Sequence, residues 1–169
     1  MQSTPEQFSV RLARSEADLQ AAQALRYSVF VEELGGTGPL VDHDRKLERD
    51  RFDPFCDHLL LRDEAFGGVV VGAYRVMRED AARQAGQFYS ESEYDLGVLR
   101  RCGRRVMELG RSCVAIGYRG GAAMFHLWNG LARYINNHQI EILFGVASFH
   151  GTDVARLAQP LSLLHHRHL

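Results

Sequence analysis

The residues able to do chemistry in this sequence fall into a few local groups. The run Gly117-Tyr118-Arg119-Gly120-Gly121-Ala122 combines three glycines with one arginine. Free backbone N–H groups at a helix start bind phosphate, and glycine lets a ligand approach the backbone closely. The guanidinium adds positive charge beside them. A bare connecting turn has the same local composition. Glu108 is the one acid in the segment 96–119, which also holds six arginines, for a formal charge of +5. A carboxylate partly buried on a strand can serve as a proton acceptor. It serves equally well as an ion-pair partner for Arg111 or Arg75, holding a sheet together. The segment 32–64 carries ten acids and five bases, a formal charge of −5. This asymmetry points to one site for a cationic group and another for an anionic partner.

Cysteine and histidine point away from other chemistries. Cys56, Cys102 and Cys113 are odd in number and show no CxxC spacing, so neither a disulfide framework nor a zinc site is expected. Reduced thiols fit a cytoplasmic protein. Cys113 reads as a packing residue rather than a nucleophile, because no histidine stands in a triad setting. The eight histidines, His150 among them, include no HExxH and no pair with a carboxylate at ligand spacing, so no metal is expected.

These groups need a scaffold, and the periodicity supplies one. Phe8 to Ala13 alternates as a strand does. Ser15 starts a helix that runs from Glu16 to Leu34 and ends at Gly35-Gly36. Thr37 to Cys56 is a long polar loop of the kind that is functional or mobile. His58 to Arg62 and Gly68 to Met77 read as a hairpin, and Arg78 to Leu99 as short helical turns. Arg104 to Ala115 is a central strand. Ala122 to His138 is a helix whose apolar side holds Met124, Leu127, Leu131, Tyr134 and Ile135, with Trp128 read as core. Glu141 to Phe149 is a strand, parallel to the central one through the helical crossover. After His150-Gly151-Thr152, Asp153 caps a last helix, bent by Pro160.

The chain has 169 residues, 46% of them hydrophobic and 24% charged, the profile of one globular domain. A net charge of −1 argues against a general nucleic-acid binder. Apolar runs as short as Val69-Val70-Val71 do not span a membrane, and residues 1–7 show no signal-peptide pattern.

Taken in order, several motifs have a family look: Arg26-Tyr27-Ser28-Val29-Phe30, Phe52-Asp53-Pro54-Phe55-Cys56-Asp57-His58, Gly72-Ala73-Tyr74-Arg75 and Glu108-Leu109-Gly110-Arg111-Ser112-Cys113-Val114. Together they resemble the bacterial ornithine N-acyltransferases that act in ornithine lipid synthesis. These are GNAT-like enzymes, with the acyl-homoserine lactone synthases as more distant cousins. The resemblance spans about Leu25 to Leu169. It implies an α/β GNAT-like fold, with a mixed central sheet flanked by helices, in a single domain over residues 1–169. Relatives continue past Leu161-Ser162-Leu163-Leu164-His165-His166, so the chain reads as shortened at its C-terminus. The glycine turn departs from the family pattern, with Ala122 and Met124 where glycines are usual. That weakens a cradle for coenzyme A and suits the single phosphate of 4'-phosphopantetheine.

What the resemblance implies is transfer of a 3-hydroxyacyl group from acyl carrier protein to the α-amine of L-ornithine. Glu108 stands at the family's functional glutamate and is the expected general base. The substrate ammonium needs acids, and Asp53, Asp50 and Asp57 are the candidates, although an Asx turn before Pro54 explains Asp53 as well. The substrate carboxylate needs a fork such as Arg75 or Arg26, each of which also reads as a structural ion pair. The carrier's 4'-phosphopantetheine is the only cofactor, none being bound by the chain itself. It is expected to pass Cys113 and Val114 and end near Arg119, Gly120, Gly121 and Ala122. The densest basic run, Arg100, Arg101, Arg104 and Arg105, is the expected docking site for the acidic carrier, with an ordinary solvated surface as the plain alternative. The enzyme is expected in the cytoplasm, in peripheral contact with the inner membrane. The alternatives are an acyl-homoserine lactone synthase, disfavoured because the sole Trp is Trp128, and a non-catalytic carrier-binding module.

Overall fold

The computed structural model describes residues 7–149, 151 and 153–168. Residues 1–6, His150 and Thr152, which figure in the signal-peptide, metal and capping expectations, lie outside them.

Five strands form one sheet in sequence order: β1 (Phe8–Leu12), β2 (Asp57–Asp63), β3 (Val69–Arg78), β4 (Val106–Val114) and β5 (Ile142–Phe144). The first four pair antiparallel, and β4 and β5 pair parallel. The parallel step is made by α4 (Ala122–His138), as the crossover pattern requires. The expected hairpin is β2–β3, joined by a 3-10 turn at Glu64–Phe66.

Helices cover both faces. On one, α4 packs Ala123, Leu127, Leu131 and Tyr134 onto Leu59, Leu61, Val76 and Met107. A Cβ on Gly130 would sit 2.3 Å from the Val10 side chain, so a glycine lets α4 lie flat on β1. Met124 and Trp128 are not core residues: both are exposed, and Trp128 stacks edge-on against Tyr74. At 100° per residue, positions 123, 127, 131 and 134 share the sheet-facing side, 124 and 128 lie along its flank, and 125 lies opposite.

On the other face lies α1 (Glu16–Arg26), capped by the Ser15 hydroxyl, which accepts from the Asp18 N–H. The helical span reaches its expected end, but Tyr27–Glu33 is a π-helix. Ala22 and Val29 pack on Leu60, Ala73 and Cys113. The segment between β3 and β4 folds into α2 (Glu79–Ala85), a 3-10 turn (Tyr89–Ser92) and α3 (Gly97–Arg101). Beyond β5 comes α5 (Val154–His168), with no buried residue.

Two expectations need correction. The strand expected over 141–149 is only Ile142–Phe144, because past Phe144 the chain leaves β4 and has no other strand to pair with among the described residues. The loop over 37–56 is anchored in its second half, where Leu47, Glu48, Phe52 and Asp53 are buried, while residues 37–40 and 43–46 are exposed.

Candidate active site

A cavity of about 490 Å³ opens where β4 and the chain beyond β5 part. The two strands pair from Val106↔Ile142 to Glu108↔Phe144 and no further. At Gly145 the backbones nearly touch: a Cβ there would lie 2.4 Å from the Leu109 carbonyl oxygen. Beyond that pinch, Leu109 to Ser112 forms one wall, and Val146 and Ser148 the other. Phe30 and Val31 of the π-helix close the top with apolar surface.

The β3–β4 ladder breaks at the same level. Ala73 pairs with Cys113 but Arg75 pairs with Gly110, so Tyr74 alone faces Arg111 and Ser112. Arg111 adopts φ 49°, the left-handed region that a β-bulge can require. The bulge turns its guanidinium onto the Tyr89 ring, 4.9 Å from the ring centre, and Arg75 meets the same ring at 5.7 Å.

Below these rings lies a network of three arginines and three carboxylates. The Arg26 fork donates to both oxygens of Asp53 at 2.8 Å, and its Nε donates to Glu48. Arg75 Nη1 donates to Asp53 Oδ1 at 3.0 Å and to Asp50. Arg111 Nε donates to Glu48 Oε1 at 3.1 Å, and its Nη2 lies 3.3 Å from Asp50. Burial alone would raise the Asp53 carboxyl, but Arg26 and Arg75 hold it well below the usual range. His58 donates from Nε2 to the Asp53 carbonyl at 3.2 Å, and burial pushes its imidazole down.

This arrangement changes the reading of several expected site residues. Arg26 is 1% exposed and Asp53 4%, and neither lines the cavity. Asp50 is consumed by Arg75 and Arg111, and Asp57 accepts from the Tyr134 hydroxyl, so neither reaches the cavity wall. Of the five substrate-contact candidates, only Arg75 lines it. The other four lost their candidacy to short-range partners that the linear sequence does not display.

Glu108 also lines the cavity, and it has neither arginine as its partner. The Tyr89 N–H donates to Oε2 at 2.7 Å, and the Ser90 N–H and hydroxyl both donate to Oε1. A carboxylate has about four acceptor positions, so one on Oε2 stays open. Cys56 lines the cavity and Cys113 is packed beside it. Burial pushes each thiol up to about 12, which leaves no thiolate for covalent chemistry.

Past β4, Ile116–Tyr118 makes a 3-10 turn, Gly120 has φ 76° and Gly121 caps α4 without any side-chain bond to the first amides. Gly120, Gly121 and Ala122 are exposed. Arg119 is not a free cation here: it pairs with Glu33 and donates from Nε to the Val114 carbonyl at 2.9 Å. The arginine run lies at the other end of β4. Arg100 pairs with Glu91, Arg104 with Glu141, and Arg105 donates to the Gln139 carbonyl. The nine residues of β4 put about 30 Å between that run and the glycine turn. The structure therefore does not bring the expected docking residues to the expected phosphate site.

Sequence reasoning missed Glu48, Tyr89, Ser90, Glu93 and Arg111 as cavity or support residues. Only Arg111 carried a signal, its place three residues after Glu108, and the bulge that makes it useful has no sequence mark. Among the described residues, no group of three or more His, Cys, Asp or Glu is placed to hold a metal ion, and no helix is long and apolar enough to cross a membrane.

Comparison with known proteins agrees with this geometry. Residues 25–129 match the acetyltransferase (GNAT) domain family. An L-ornithine N(alpha)-acyltransferase of Rhodobacter capsulatus is 58% identical over 173 residues, covering 100% of this chain and 67% of the relative. That of Brucella abortus is 45% identical, covering 94% of this chain and 59% of the relative. The chain thus spans about three fifths to two thirds of the length of these relatives. Among solved structures, an N-acyl amino acid synthase from uncultured soil microbes gives a TM-score of 0.63 at 16% identity, over 93% of this chain and 77% of that one. An AHL synthase gives 0.59 at 19% identity, over 92% of this chain and 77% of that one. At these identities the structures speak for the fold.

Proposed function

This chain belongs to the GNAT acyltransferases and, within them, to the L-ornithine N(alpha)-acyltransferases, and from that premise we propose its reaction: transfer of a 3-hydroxyacyl group from acyl carrier protein to the α-amine of L-ornithine, giving lyso-ornithine lipid. The observation that carries the reading is the anchored carboxylate of Glu108 on the wall of the cavity where β4 and β5 part.

Amide formation requires a neutral amine, a polarised thioester carbonyl and a route for one proton. The 4'-phosphopantetheine arm enters along the unpaired edge of β4 past Cys113 and Val114, with its phosphate at the uncapped amides of α4. Backbone N–H groups on that edge receive the carbonyl oxygen as negative charge develops. The ornithine nitrogen attacks the carbonyl carbon and the C–S bond breaks. The open position on Glu108 Oε2 takes the proton from nitrogen and returns it to the departing thiolate, so the reaction balances. Arg75 and Arg111 receive the ornithine carboxylate, using donors that the network leaves uncommitted. The only prosthetic group is the one the carrier brings. A cytoplasmic enzyme resting on the inner membrane face fits a lipid product.

The test is thiol release from 3-hydroxyacyl-carrier protein in the presence of ornithine. Glu108→Gln should cut kcat by roughly 100-fold or more, the usual range for a general base, with unchanged carrier binding. Equal turnover in both proteins would remove Glu108 from the mechanism.

A further inference from the structure

We propose that Glu93 is the residue that selects acceptors carrying a side-chain ammonium group, an inference that rests on the ornithine reading above. The charged residues on the cavity wall are Glu48, Glu93, Glu108, Arg75 and Arg111. Glu48 is held by Arg26 and Arg111, and Glu108 by three donors. Among the described residues Glu93 alone of the three acids has neither an ion pair nor a side-chain hydrogen bond. It is exposed at the rim, so it reaches the cavity without having been neutralised.

Its backbone belongs to the same short turn that anchors Glu108. The Glu93 N–H donates to the Ser90 carbonyl at 3.1 Å, and the N–H and hydroxyl of Ser90 donate to Glu108. The wall has a formal charge of −1, three glutamates against two arginines. An acceptor that arrives with one carboxylate and two ammonium groups carries +1 and complements it, and its α-nitrogen gives one proton to water before it attacks. With its carboxylate on the free donors of Arg75 and Arg111 and its α-nitrogen at Glu108, such an acceptor has one charge left to satisfy, at the far end of its side chain. Glu93 meets that charge. Pairing also keeps the distal amine protonated, so it is no nucleophile, and acylation is directed to the α-nitrogen.

The acids favoured by charge density in the sequence, Asp50, Asp53 and Asp57, do not line the wall: arginines engage Asp50 and Asp53, and Asp57 accepts from the Tyr134 hydroxyl. Glu93 is the carboxylate that remains.

The experiment compares ornithine with norvaline, the same carbon skeleton without the side-chain amine. Both are assayed at saturating 3-hydroxyacyl-carrier protein. The native protein should favour ornithine. Glu93→Gln should lower the ornithine-to-norvaline ratio of kcat/KM about tenfold, the usual weight of a charge-assisted contact, mainly through KM for ornithine. Glu93→Arg should lower it further, and Glu93→Asp should keep part of it. Products acylated at the side-chain nitrogen should appear with Glu93→Gln. An unchanged ratio in the Gln and Arg variants, with ornithine still preferred, overturns the role of Glu93 and leaves the reaction standing. A native protein that does not acylate ornithine overturns the reaction itself, and the role of Glu93 with it.

Discussion

Arg26, Arg75 and Arg111 come from a helix, a strand and a bulge far apart in the chain, yet they meet in one buried network. Arg100, Arg104 and Arg105, with Arg101, are neighbours in sequence, yet the three disperse onto separate partners at the surface. The first group was nearly invisible to a count of charges, and the second dominated it. The difference is desolvation. A guanidinium removed from water requires carboxylates at short range, so its geometry is fixed. An exposed arginine is stabilised by water whether or not it is paired, so its pairing carries little information. Density along the chain therefore measures surface composition, and coupling has to be read from burial.

The sharpest way to break the comparison is to remove one partner from each group. Asp53→Asn leaves Arg26 buried beside a neutral amide. The expected cost is about 3–5 kcal/mol, for a fall in Tm of roughly 10 °C in a chain of this size, followed by thermal unfolding. A fall of less than about 2 °C would mean that the network is solvated rather than sealed.

Acid probes the same region without mutation. His58 is held neutral, so the unfolded chain binds its proton first, and stability should start to fall as pH drops through about 6.5. The carboxyl of Asp53 is depressed, so its contribution is complete above about pH 5 and should be lost as pH falls below about 4. The two steps should appear in urea midpoints measured against pH, and Asp53→Asn should shrink the lower one without abolishing it, because Asp18, Glu33, Glu91 and Glu141 are depressed as well.

Arg111→Lys keeps the charge and loses the planar fork. It should raise KM for ornithine about tenfold while Tm falls by only a few degrees. An unchanged KM would confine Arg111 to a structural role. The smallest effect belongs to the surface run. Arg104→Glu with Arg105→Glu should shift Tm by under about 2 °C, and the distance from the glycine turn predicts an unchanged KM for the carrier thioester. A KM that rises, and rises less at high salt, would restore docking at this run.

The fold was legible where periodicity is strong. The hairpin, the central strand and the crossover helix all stand within a few residues of their expected bounds. β5 was over-extended because Val146 to Phe149 has the composition of a strand and lacks a partner. On α4, Met124 and Trp128 looked like core because apolar residues at 3–4 spacing were read as one stripe, whereas the sheet contacts a narrower one. In the site, Glu108 and Arg75 line the cavity. Arg26, Asp50 and Asp53 also belong together, but as members of one buried ion-pair network. Residue type shows which charges exist, and only the fold decides which of them have already found each other. Glu93 was unmarked for the complementary reason that, among the described residues, its side chain has no partner.

The central claim is that ornithine is acylated on its α-nitrogen from a carrier-bound thioester at the cavity holding Glu108. The most direct measurement is mass spectrometry of a reaction containing the purified protein, 3-hydroxyacyl-carrier protein and an equimolar mixture of amino acids, run beside Glu108→Gln. The expected result is a dominant N-acyl-ornithine peak, fragmenting as the α-amide, that nearly vanishes in the variant. Acylation of another acceptor, or an ornithine product undiminished by Glu108→Gln, would contradict it.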